Sequence, residues 1–460
     1  MPTLNNVEGE RAAHAGGQDV RAPLTKAKRI LIALAAGAVC CWAIWQAGRI
    51  GFARTLGDYA AQQCRDHAAA LAASLAGVSD AKSAADRAVR ILPGDAETHF
   101  GRAEVLERFE DYPQARDEYE RAVQLRPRDY YLWMLLGVSL DQNEDQPGAL
   151  RAFHQSVALA PSYAQPRWQL GNLLLRLGQR DQSFEELRRA ALSNPLLWPN
   201  VYDLAWGVYG RDAGAVIKVT RPETDAAHMA LALFFARHDQ GVAALDQFRS
   251  TGVKNDKVTQ SLLDELLRAR AFSEAYDVWA SLHAIPLTSG PDHGASGAIL
   301  DGGFEGAQTV GQTGFGWQIT PNVASVAMSI DEGLHQSGAR SLRVDFHGNS
   351  NPSSPLFNQI VLVKPGTHYH LRLSALSKEF VSAADPVITV IDASDPNRTV
   401  LATSPPLRSD PNVWREFAMD FTTTAGTRAI TLTLARQPCA NDPCPTFGSV
   451  WLDSFSLEMR

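Results

Sequence analysis

The sequence predicts a multidomain α plus β protein with a single transmembrane helix, an α-solenoid of paired helices and an antiparallel β-sandwich of the jelly-roll type. Residues 30–48 form an apolar segment, prolines recur every 34 residues from Pro93 to Pro195, and hydrophobic and polar residues alternate beyond residue 300. The predicted bounds are a disordered cytoplasmic tail at 1–28, a transmembrane helix at 29–49, a solenoid at 50–283, a linker at 284–297 and the sandwich at 298–460.

Length and composition indicate a multidomain globular chain. The 460 residues exceed one ordinary domain, and 45% hydrophobic with 20% charged residues is typical of globular proteins. The formal net charge of −7 argues against binding to nucleic acid, because such proteins carry basic surfaces. No GxSxG, HExxH or GxxxxGK[ST] motif is present, and we expect no enzymatic activity.

The apolar segment has the length of a membrane span. Nineteen helical residues at about 1.5 Å each approach the hydrocarbon thickness of about 30 Å. The fifteen residues before the segment carry four basic side chains and the fifteen after it carry two, which predicts a cytoplasmic N-terminus. We therefore expect a single-pass protein of the bacterial cytoplasmic (inner) membrane with its C-terminal domains on the periplasmic or outer side. A cleaved signal peptide, a buried soluble helix and the opposite topology are the alternatives.

Each 34-residue unit reads as two helices followed by the proline. The second helix starts at a small residue, and a large residue follows four positions later, so that both lie on one helical face. The small residues are Ala115, Ala149 and Ser183, and the large ones are Tyr119, Phe153 and Leu187. Over residues 62–197 this pattern resembles the tetratricopeptide repeat family.

The resemblance implies a curved solenoid whose concave surface is lined by the first helix of each pair and captures a protein or peptide partner. In this reading Asn172 bonds a peptide backbone and Arg176 a carboxylate. The alternative is that several of these side chains pack against the irregular helices at 198–283. The residues transferred to the groove are Phe100, Glu104, Tyr131, Met134, Asp141, Trp168, Asn172 and Arg176.

Beyond the linker the hydrophobic period is that of strands. The segments SLRVDF, YHLRLSA, WREFAMDF and AITLTLA alternate between apolar and polar residues, and turn signals such as KPGT and SDPN separate them. Many short alternating strands over about 160 residues predict an antiparallel sandwich.

The motifs of this segment resemble a carbohydrate-binding module of the galactose-binding-like type. They are LDGGFEGA at 300–307, Gly316–Trp317, HQSGARSLRV at 335–344 and VWLDSFSL at 450–457. The resemblance implies a structural calcium ion in many relatives, with Glu305 and Asp453 as its candidate ligands here; two solvated acids are the alternative. Calcium prefers several oxygen ligands, so two carboxylates do not complete a site.

Saccharide binding requires exposed aromatic rings with polar groups around them. Trp317 and Trp414 match residues that build the fold, whereas Trp451 alternates away from its apolar neighbours and is the candidate for an exposed, carbohydrate-binding ring. His368 and His370 share a strand face and are the other carbohydrate-binding candidates, a solvated face being the alternative.

Two of the five cysteines are close in sequence. Cys439 and Cys444 flank a turn-forming Asn-Asp-Pro, and a disulfide closing this loop fits export to an oxidising compartment. Two unpaired thiols are the alternative.

These features predict a membrane-anchored adaptor that binds a protein partner through its repeats and a saccharide through its sandwich, in surface polysaccharide synthesis or export. The first rival is a purely structural scaffold without sugar binding. The second is a polysaccharide hydrolase or lyase that uses carboxylates such as Glu379, Asp385 or Asp392.

Overall fold

A computed structural model describes residues 26–66, 75–252, 256–283, 298–306, 309–310, 313–409, 413–439 and 443–460. Described helices end at residue 282 and described strands begin at residue 309, which confirms the predicted fold class. The predicted tail at 1–28, apart from its last three residues, and the predicted linker at 284–297 lie outside the described residues. The chain forms two compact units, Met1–Leu173 and Leu174–Arg460, so that the last helices and the sandwich belong to one unit.

The first helix, α1 (Lys26–Asp66), has two different surfaces along its length. Between residues 31 and 48 its side chains are exposed, apart from a half-buried Gln46, whereas Ala53 and Ala60 further along are fully buried. Within it, Leu31–Gln62 is the stretch of the described chain that is long and apolar enough to cross a membrane. The predicted membrane segment at 29–49 is therefore the first part of a helix that continues into the solenoid.

Two arginines attach the second part of α1 to the helices beside it. Arg49 donates to the Ile91 carbonyl at 2.9 Å. Arg54 donates through Nε and Nη2 to the two carboxylate oxygens of Asp95, each at 3.0 Å. The C-terminal part of α1 thus serves as the first helix of the solenoid.

The remaining helices follow in pairs, the first of them paired with the second part of α1, and Pro93, Pro127 and Pro161 lie between successive pairs, as the 34-residue period predicts. A 3-10 turn (Pro195–Leu197) holds the fourth proline of the series. The helices are α2 (Leu75–Ile91), α3 (Ala96–Arg108), α4 (Tyr112–Leu125), α5 (Tyr130–Gln142), α6 (Gln146–Leu159), α7 (Ala164–Arg176), α8 (Arg180–Ser193), α9 (Trp198–Val208), α10 (Ala213–Thr220), α11 (Asp225–Arg237), α12 (Gly241–Arg249), α13 (Asp256–Arg268) and α14 (Phe272–Leu282).

The small and large positions of the repeat form its core. Ala149 and Phe153 of α6 are buried, and the ring of Phe153 lies against Gly137 of α5. A Cβ atom at Gly137 would lie 2.7 Å from that ring, which is closer than carbon atoms approach without strain. Glycine at this position therefore lets α5 and α6 pack closely.

The helices beyond residue 197 lose the strict period but keep a packed interior. Trp198 stacks on Tyr202 with ring centroids 5.4 Å apart, and the buried Tyr202 hydroxyl donates to the Ala227 carbonyl at 2.9 Å. Trp206 packs edge-on against Phe234 at 5.7 Å. Aromatic rings replace the small residues that brought the earlier helices together.

Among the described residues, the strands form two sheets, one of six strands in the order β1-β2-β5-β10-β7-β8 and one of five in the order β3-β4-β11-β6-β9. Every pairing is antiparallel except that of β1 with β2. The strands are β1 (Thr309–Val310), β2 (Gln318–Ile319), β3 (Val326–Asp331), β4 (Ser341–Asn349), β5 (Phe357–Leu362), β6 (His368–Ser382), β7 (Pro386–Asp392), β8 (Val400–Thr403), β9 (Arg415–Thr422), β10 (Ala429–Arg436) and β11 (Pro445–Met459).

One hydrophobic core fills the space between the sheets. The alternate residues Leu342, Val344 and Phe346 of β4 enter it, as the period-2 pattern predicts. Trp317 is also buried there, and its ring stacks on Phe304 at a centroid distance of 5.1 Å. Trp414, by contrast, is half-buried and precedes β9.

Candidate functional site

The last helical pair and the sandwich are joined by the loop that follows residue 312. Phe315 is buried, with its ring centroid 5.1 Å from that of Tyr276 and 5.8 Å from that of Trp279, both on α14. Gln260 of α13 donates to the carbonyl of Thr313 at 3.1 Å and to its hydroxyl at 2.9 Å. The helical hairpin α13–α14 is therefore seated on the sandwich by both apolar and polar contacts.

A cleft of about 730 Å³ lies beside this contact, between the corner of the hairpin and the outer face of the six-stranded sheet. Leu267, Arg268, Arg270 and Phe272 line it from the helical side. From the sandwich side it is lined by residues of β5, β7 and β10 and by the turn that follows β7. Its volume is in the range of pockets that hold small ligands, about 300–1,000 Å³.

A row of polar side chains crosses the sheet beneath the cleft. Thr433 of β10 pairs with Asn358 of β5 on one side and with Thr389 of β7 on the other, and all three line the cleft. Gln318 of β2 and Thr403 of β8 extend the row at its two ends. Because cross-strand partners point to the same face, these side chains form a transverse polar band. Within it Thr433 donates to the Phe357 carbonyl and Gln318 to the Gly314 carbonyl, so Asn358 and Thr389 are the lining residues of the band that suit hydrogen bonding to sugar hydroxyl groups.

Trp451 faces outward from the five-stranded sheet but is buried, with an exposed fraction of 4%. The guanidinium carbon of Arg343 lies 5.1 Å from its ring centroid and the Lys378 ammonium 5.4 Å away. Its indole N–H donates to Asp331 at 2.7 Å. Partial burial opposes ionisation of Asp331, but this bond and two backbone N–H groups lower its pKa. The expected exposure of Trp451 is therefore wrong, because long side chains of the neighbouring strands cover the ring.

His368 and His370 share the outer face of β6, as predicted. His370 Nδ1 lies 2.7 Å from Asp420 and His368 Nδ1 lies 3.0 Å from the Thr422 hydroxyl. The bond from His370 lowers the pKa of Asp420. Trp451 of β11 pairs with Leu376 of β6. Leu376 lies six residues after His370 on β6, so Trp451 is roughly 20 Å from His370 along the sheet. The three residues predicted from sequence to bind carbohydrate do not form one site.

Glu305 and Asp453 hold the loop at 336–340. Asp453 is fully buried, and its Oδ2 accepts the backbone N–H groups of Gln336 at 2.6 Å and Ser337 at 2.9 Å. Oε1 of Glu305 accepts the backbone N–H of Ala339 at 2.8 Å. Backbone N–H groups thus occupy positions around these carboxylate oxygens from which a calcium ion would be coordinated. This arrangement does not favour calcium. The calcium site stays a prediction that nothing here tests. The described residues contain no group of three or more His, Cys, Asp or Glu side chains placed to hold a metal ion.

Cys439 and Cys444 are joined by a disulfide. Beside it lies Arg436, with an exposed fraction of 4%, which sequence reasoning missed. Its guanidinium donates to the Cys444 carbonyl at 2.7 Å and to the Ser350 carbonyl at 2.9 Å, and burial lowers its pKa. Arg436 therefore connects the end of β10 to the disulfide loop.

Two carboxylates considered for hydrolysis lie far apart. Asp392 ends β7, and Asp385 immediately precedes that strand, so roughly 23 Å of extended chain separates them. Asp385 pairs with Arg408 at 2.7 Å, and the buried Asp392 accepts the Thr427 hydroxyl at 2.5 Å. Paired carboxylates of glycoside hydrolases stand within about 10 Å of each other, a distance that these two exceed.

The helical unit brings some of the predicted groove residues together. The rings of Phe100 and Tyr131 pack edge-on with centroids 6.2 Å apart, and Phe100 lies 6.5 Å from Tyr119. Phe100 and Glu104 are half-buried and Tyr131 is exposed, but Met134 is buried in the helical core with an exposed fraction of 1%. Asp141, Trp168 and Asn172 are half-buried, and Arg176 is exposed at the end of α7.

The base of this aromatic group is polar and acidic. The Tyr119 hydroxyl donates to Glu107 at 3.1 Å. Burial, together with Glu107 and Glu104, raises the pKa of Tyr119 above its usual range, and burial also raises the pKa of Glu107. Sequence reasoning assigned Tyr119 to packing only and missed its contact with Glu107.

Comparisons with known proteins agree with this division of the chain. Residues 296–441 match the sequence profile of a family described as a carbohydrate binding domain. A search of curated proteins returned no match.

Similar solved structures fall into two groups. The crystal structure of MamA is 14% identical, covers 43% of this chain and 93% of its own, and has a TM-score of 0.27. A CBM4 structure is 14% identical, and the match covers 35% of this chain and 100% of that structure's chain with a TM-score of 0.28. The CBM22-1 xylan-binding domain from Paenibacillus barcinonensis is 17% identical, and the match covers 36% of this chain and 96% of that domain's chain with a TM-score of 0.26. At these scores the likenesses carry no further argument.

The described chain thus combines paired helices with a C-terminal β-sandwich, most of which matches the carbohydrate binding domain. The family match supports a sugar-binding module at residues 296–441.

Proposed function

We propose that this protein is a membrane-anchored, non-enzymatic adaptor whose sandwich binds a saccharide and whose helical repeats bind a protein partner. The observation that carries the proposal is the cleft on the six-stranded sheet, whose sandwich residues all lie within the segment that matches the carbohydrate-binding family.

The cleft supplies the two kinds of contact that a saccharide needs. The amide of Asn358 and the hydroxyl of Thr389 form hydrogen-bonding groups along one line of the sheet, on the two sides of the buried Thr433. Among the described lining residues, the aromatic side chain is that of Phe272, which comes from α14 rather than from the sandwich. Apolar wall and polar floor together fit a sugar ring, which has hydroxyls at its edge and C–H groups on its faces.

The partner-binding surface in this proposal is the aromatic group at Phe100 and Tyr131. Tyr131 exposes 40% of its surface, and aromatic residues with large exposed faces are enriched in the energetic centres of protein interfaces. Acidic Glu104 beside them favours a partner with basic or amide groups.

The membrane attachment rests on α1. Its exposed apolar side chains at 31–48 have the length of a bilayer span, and the disulfide between Cys439 and Cys444 is of the kind found in exported proteins. Attachment to the cytoplasmic membrane with both domains outside fits a role in surface polysaccharide synthesis or export. A reporter enzyme active only outside the cytoplasm, fused after Arg460, tests this topology; inactivity of the fusion would contradict it.

Glycan binding by the detergent-purified full-length chain tests the sugar-binding part. The double variant Asn358→Ala, Thr389→Val should bind at least tenfold more weakly than the parent chain to any glycan that an array reveals. Ser329→Ala is the control, because Ser329 is exposed on β3 of the other sheet. Silence across acidic and neutral glycans would instead favour a structural scaffold without sugar binding.

A further inference from the structure

The helical wall of the cleft differs in charge from the equivalent parts of the solenoid. Among the described residues, five hairpins place one residue with positive φ at the same position, two residues after the first helix and two before the second. This residue is acidic or glycine in four of them, Glu110, Glu144, Gly178 and Asp239, and it is Arg270 in the hairpin that faces the sandwich. The α9–α10 turn is one residue longer and also has an arginine with positive φ, Arg211, two residues before its second helix.

The position of Arg270 is held by the turn itself. Its backbone N–H donates to the Leu267 carbonyl at 3.1 Å, and that of Ala271 donates to the Leu266 carbonyl at 2.9 Å. The φ angle of Arg270 is +56°, a left-handed conformation that is less favourable for a residue with a Cβ atom than for glycine. An arginine is therefore not the residue that the turn alone selects.

The cleft is basic although the protein is acidic. Arg268, Arg270 and Arg398 line it together with a single carboxylate among the described lining residues, Asp395, whereas the whole chain has a formal net charge of −7. Arg268 is ion-paired with Glu265 of its own helix, so Arg270 and Arg398 are the arginines left to face a ligand. Asp395 accepts the backbone N–H of Asn397 at 3.0 Å and the hydroxyl of Thr399, so donors of its own turn already bind its two oxygens. Arginine guanidinium groups bind planar carboxylates through paired N–H donors.

We infer that the saccharide bound in this cleft is anionic, with a carboxylate held by Arg270 from the helical hairpin and Arg398 from the sandwich. This inference rests on the proposed function and names the class of its ligand. Because one arginine comes from each side, the ligand connects the hairpin to the sandwich, and Phe272 and Leu267 supply the apolar wall against which a sugar ring packs.

Titration of the full-length chain in detergent with an oligomeric polyuronate, its methyl ester and a sulfated neutral glycan tests the inference. The polyuronate should bind at least tenfold more tightly than the ester, and its affinity should fall as salt is added, because exposed charge interactions are screened. A sulfated glycan that binds tightly while the polyuronate does not would overturn the assignment of a carboxylate.

The variant Arg270→Gly separates binding from folding. It removes the guanidinium and suits the turn, so the melting temperature should be unchanged or higher while polyuronate affinity falls at least fivefold. Glu144→Gly makes the same change in an equivalent turn of the first unit and should leave affinity unchanged.

The outcomes distinguish the two proposals. Equal binding of acid and ester, or an unchanged affinity in Arg270→Gly, overturns the anionic ligand and leaves saccharide binding intact. Silence toward all three glycans overturns the anionic ligand, and saccharide binding itself is overturned only if the glycan array is silent as well.

Discussion

The indole of Trp279 lies with its Nε1 and Cδ1 atoms directly over Gly314, so that a Cβ atom built on the glycine would stand 2.4 Å from Nε1. Trp279 belongs to the last described helix, α14, and Gly314 precedes β2 of the sandwich, so this contact is where the helical hairpin α13–α14 meets the β-domain. Nothing larger than a hydrogen atom fits between them.

Gly314→Ala should therefore separate this contact and destabilise the second unit by about 1–3 kcal/mol, as overpacked sites do. Gly316→Ala is the control, because a Cβ there would be 3.8 Å from Trp279, at ordinary contact distance. Thermal unfolding of both variants is the measurement. Equal melting temperatures for the two would show that the hairpin is not held at Gly314.

Gly137 makes a comparable prediction inside the solenoid. Gly137→Ala would press a methyl group against the Phe153 ring and should cost about 1–3 kcal/mol. Gly207→Ala, in the exposed face of α9 with nothing within 4 Å of the added atom, should instead stabilise by up to about 1 kcal/mol, since alanine is the better helix former. Opposite shifts in melting temperature are expected, and shifts of the same sign would contradict the packing argument.

Trp451→Ala should lower stability rather than glycan affinity. Removing a buried indole costs roughly 3–5 kcal/mol, whereas Trp451→Phe keeps a ring between Arg343 and Lys378 and loses only the bond to Asp331, worth about 1–3 kcal/mol. Denaturant unfolding and glycan titration of the folded fraction check this. A stable Trp451→Ala variant that no longer binds glycan would place the sugar site on the five-stranded sheet.

Asp453→Asn should destabilise the sandwich by about 1–3 kcal/mol, because the carboxylate accepts two backbone N–H groups in a fully buried position. Since these donors oppose a bound cation, added calcium or a chelator should leave the melting temperature of the parent chain unchanged. A rise of several degrees with calcium, abolished in Glu305→Gln, would establish the calcium site instead.

His99 makes the stability of the helical unit depend on pH. Its ring nitrogens lie 2.6 Å from Glu118 and 2.9 Å from the Pro93 carbonyl. Burial lowers its pKa, but these two bonds outweigh burial and raise the pKa above 6.5. A raised pKa in the folded state contributes stability that is present below about 6.5 and is lost as the pH rises through the folded-state value.

The difference in melting temperature between the parent chain and His99→Gln should therefore be largest near pH 6 and shrink as the pH rises above about 6.5. Thermal unfolding followed by helical circular dichroism at a series of pH values measures it. A difference that is constant with pH would show that His99 is neutral throughout.

The sequence predicts those parts of the molecule that depend on local periodicity. The helix pairs follow from prolines and from small and large residues at fixed spacing, and the strands of β4 and β6 follow from alternation. The cover over Trp451 could not be predicted, because alternation assigns a ring to a face but does not show which side chains of neighbouring strands lie over it.

The cleft could not be predicted for a related reason. Arg270 and Arg398 are separated by 128 positions in the sequence, and only the seating of Phe315 against α14 places their segments on the two sides of one cavity. The positive φ of Arg270 marks a turn position that does not favour arginine, but only the position of the sandwich shows that this arginine lines a cleft.

Helix α1 runs without a break from its apolar first part into the repeats. Its 41 residues form one helix about 60 Å long. Arg49 and Arg54 bond the C-terminal part of this helix to its neighbours in the solenoid. Under the proposed anchoring, any tilt of the helix in the lipid turns the first repeats by the same angle. The orientation of α1 in the bilayer then sets the direction in which Phe100 and Tyr131 face.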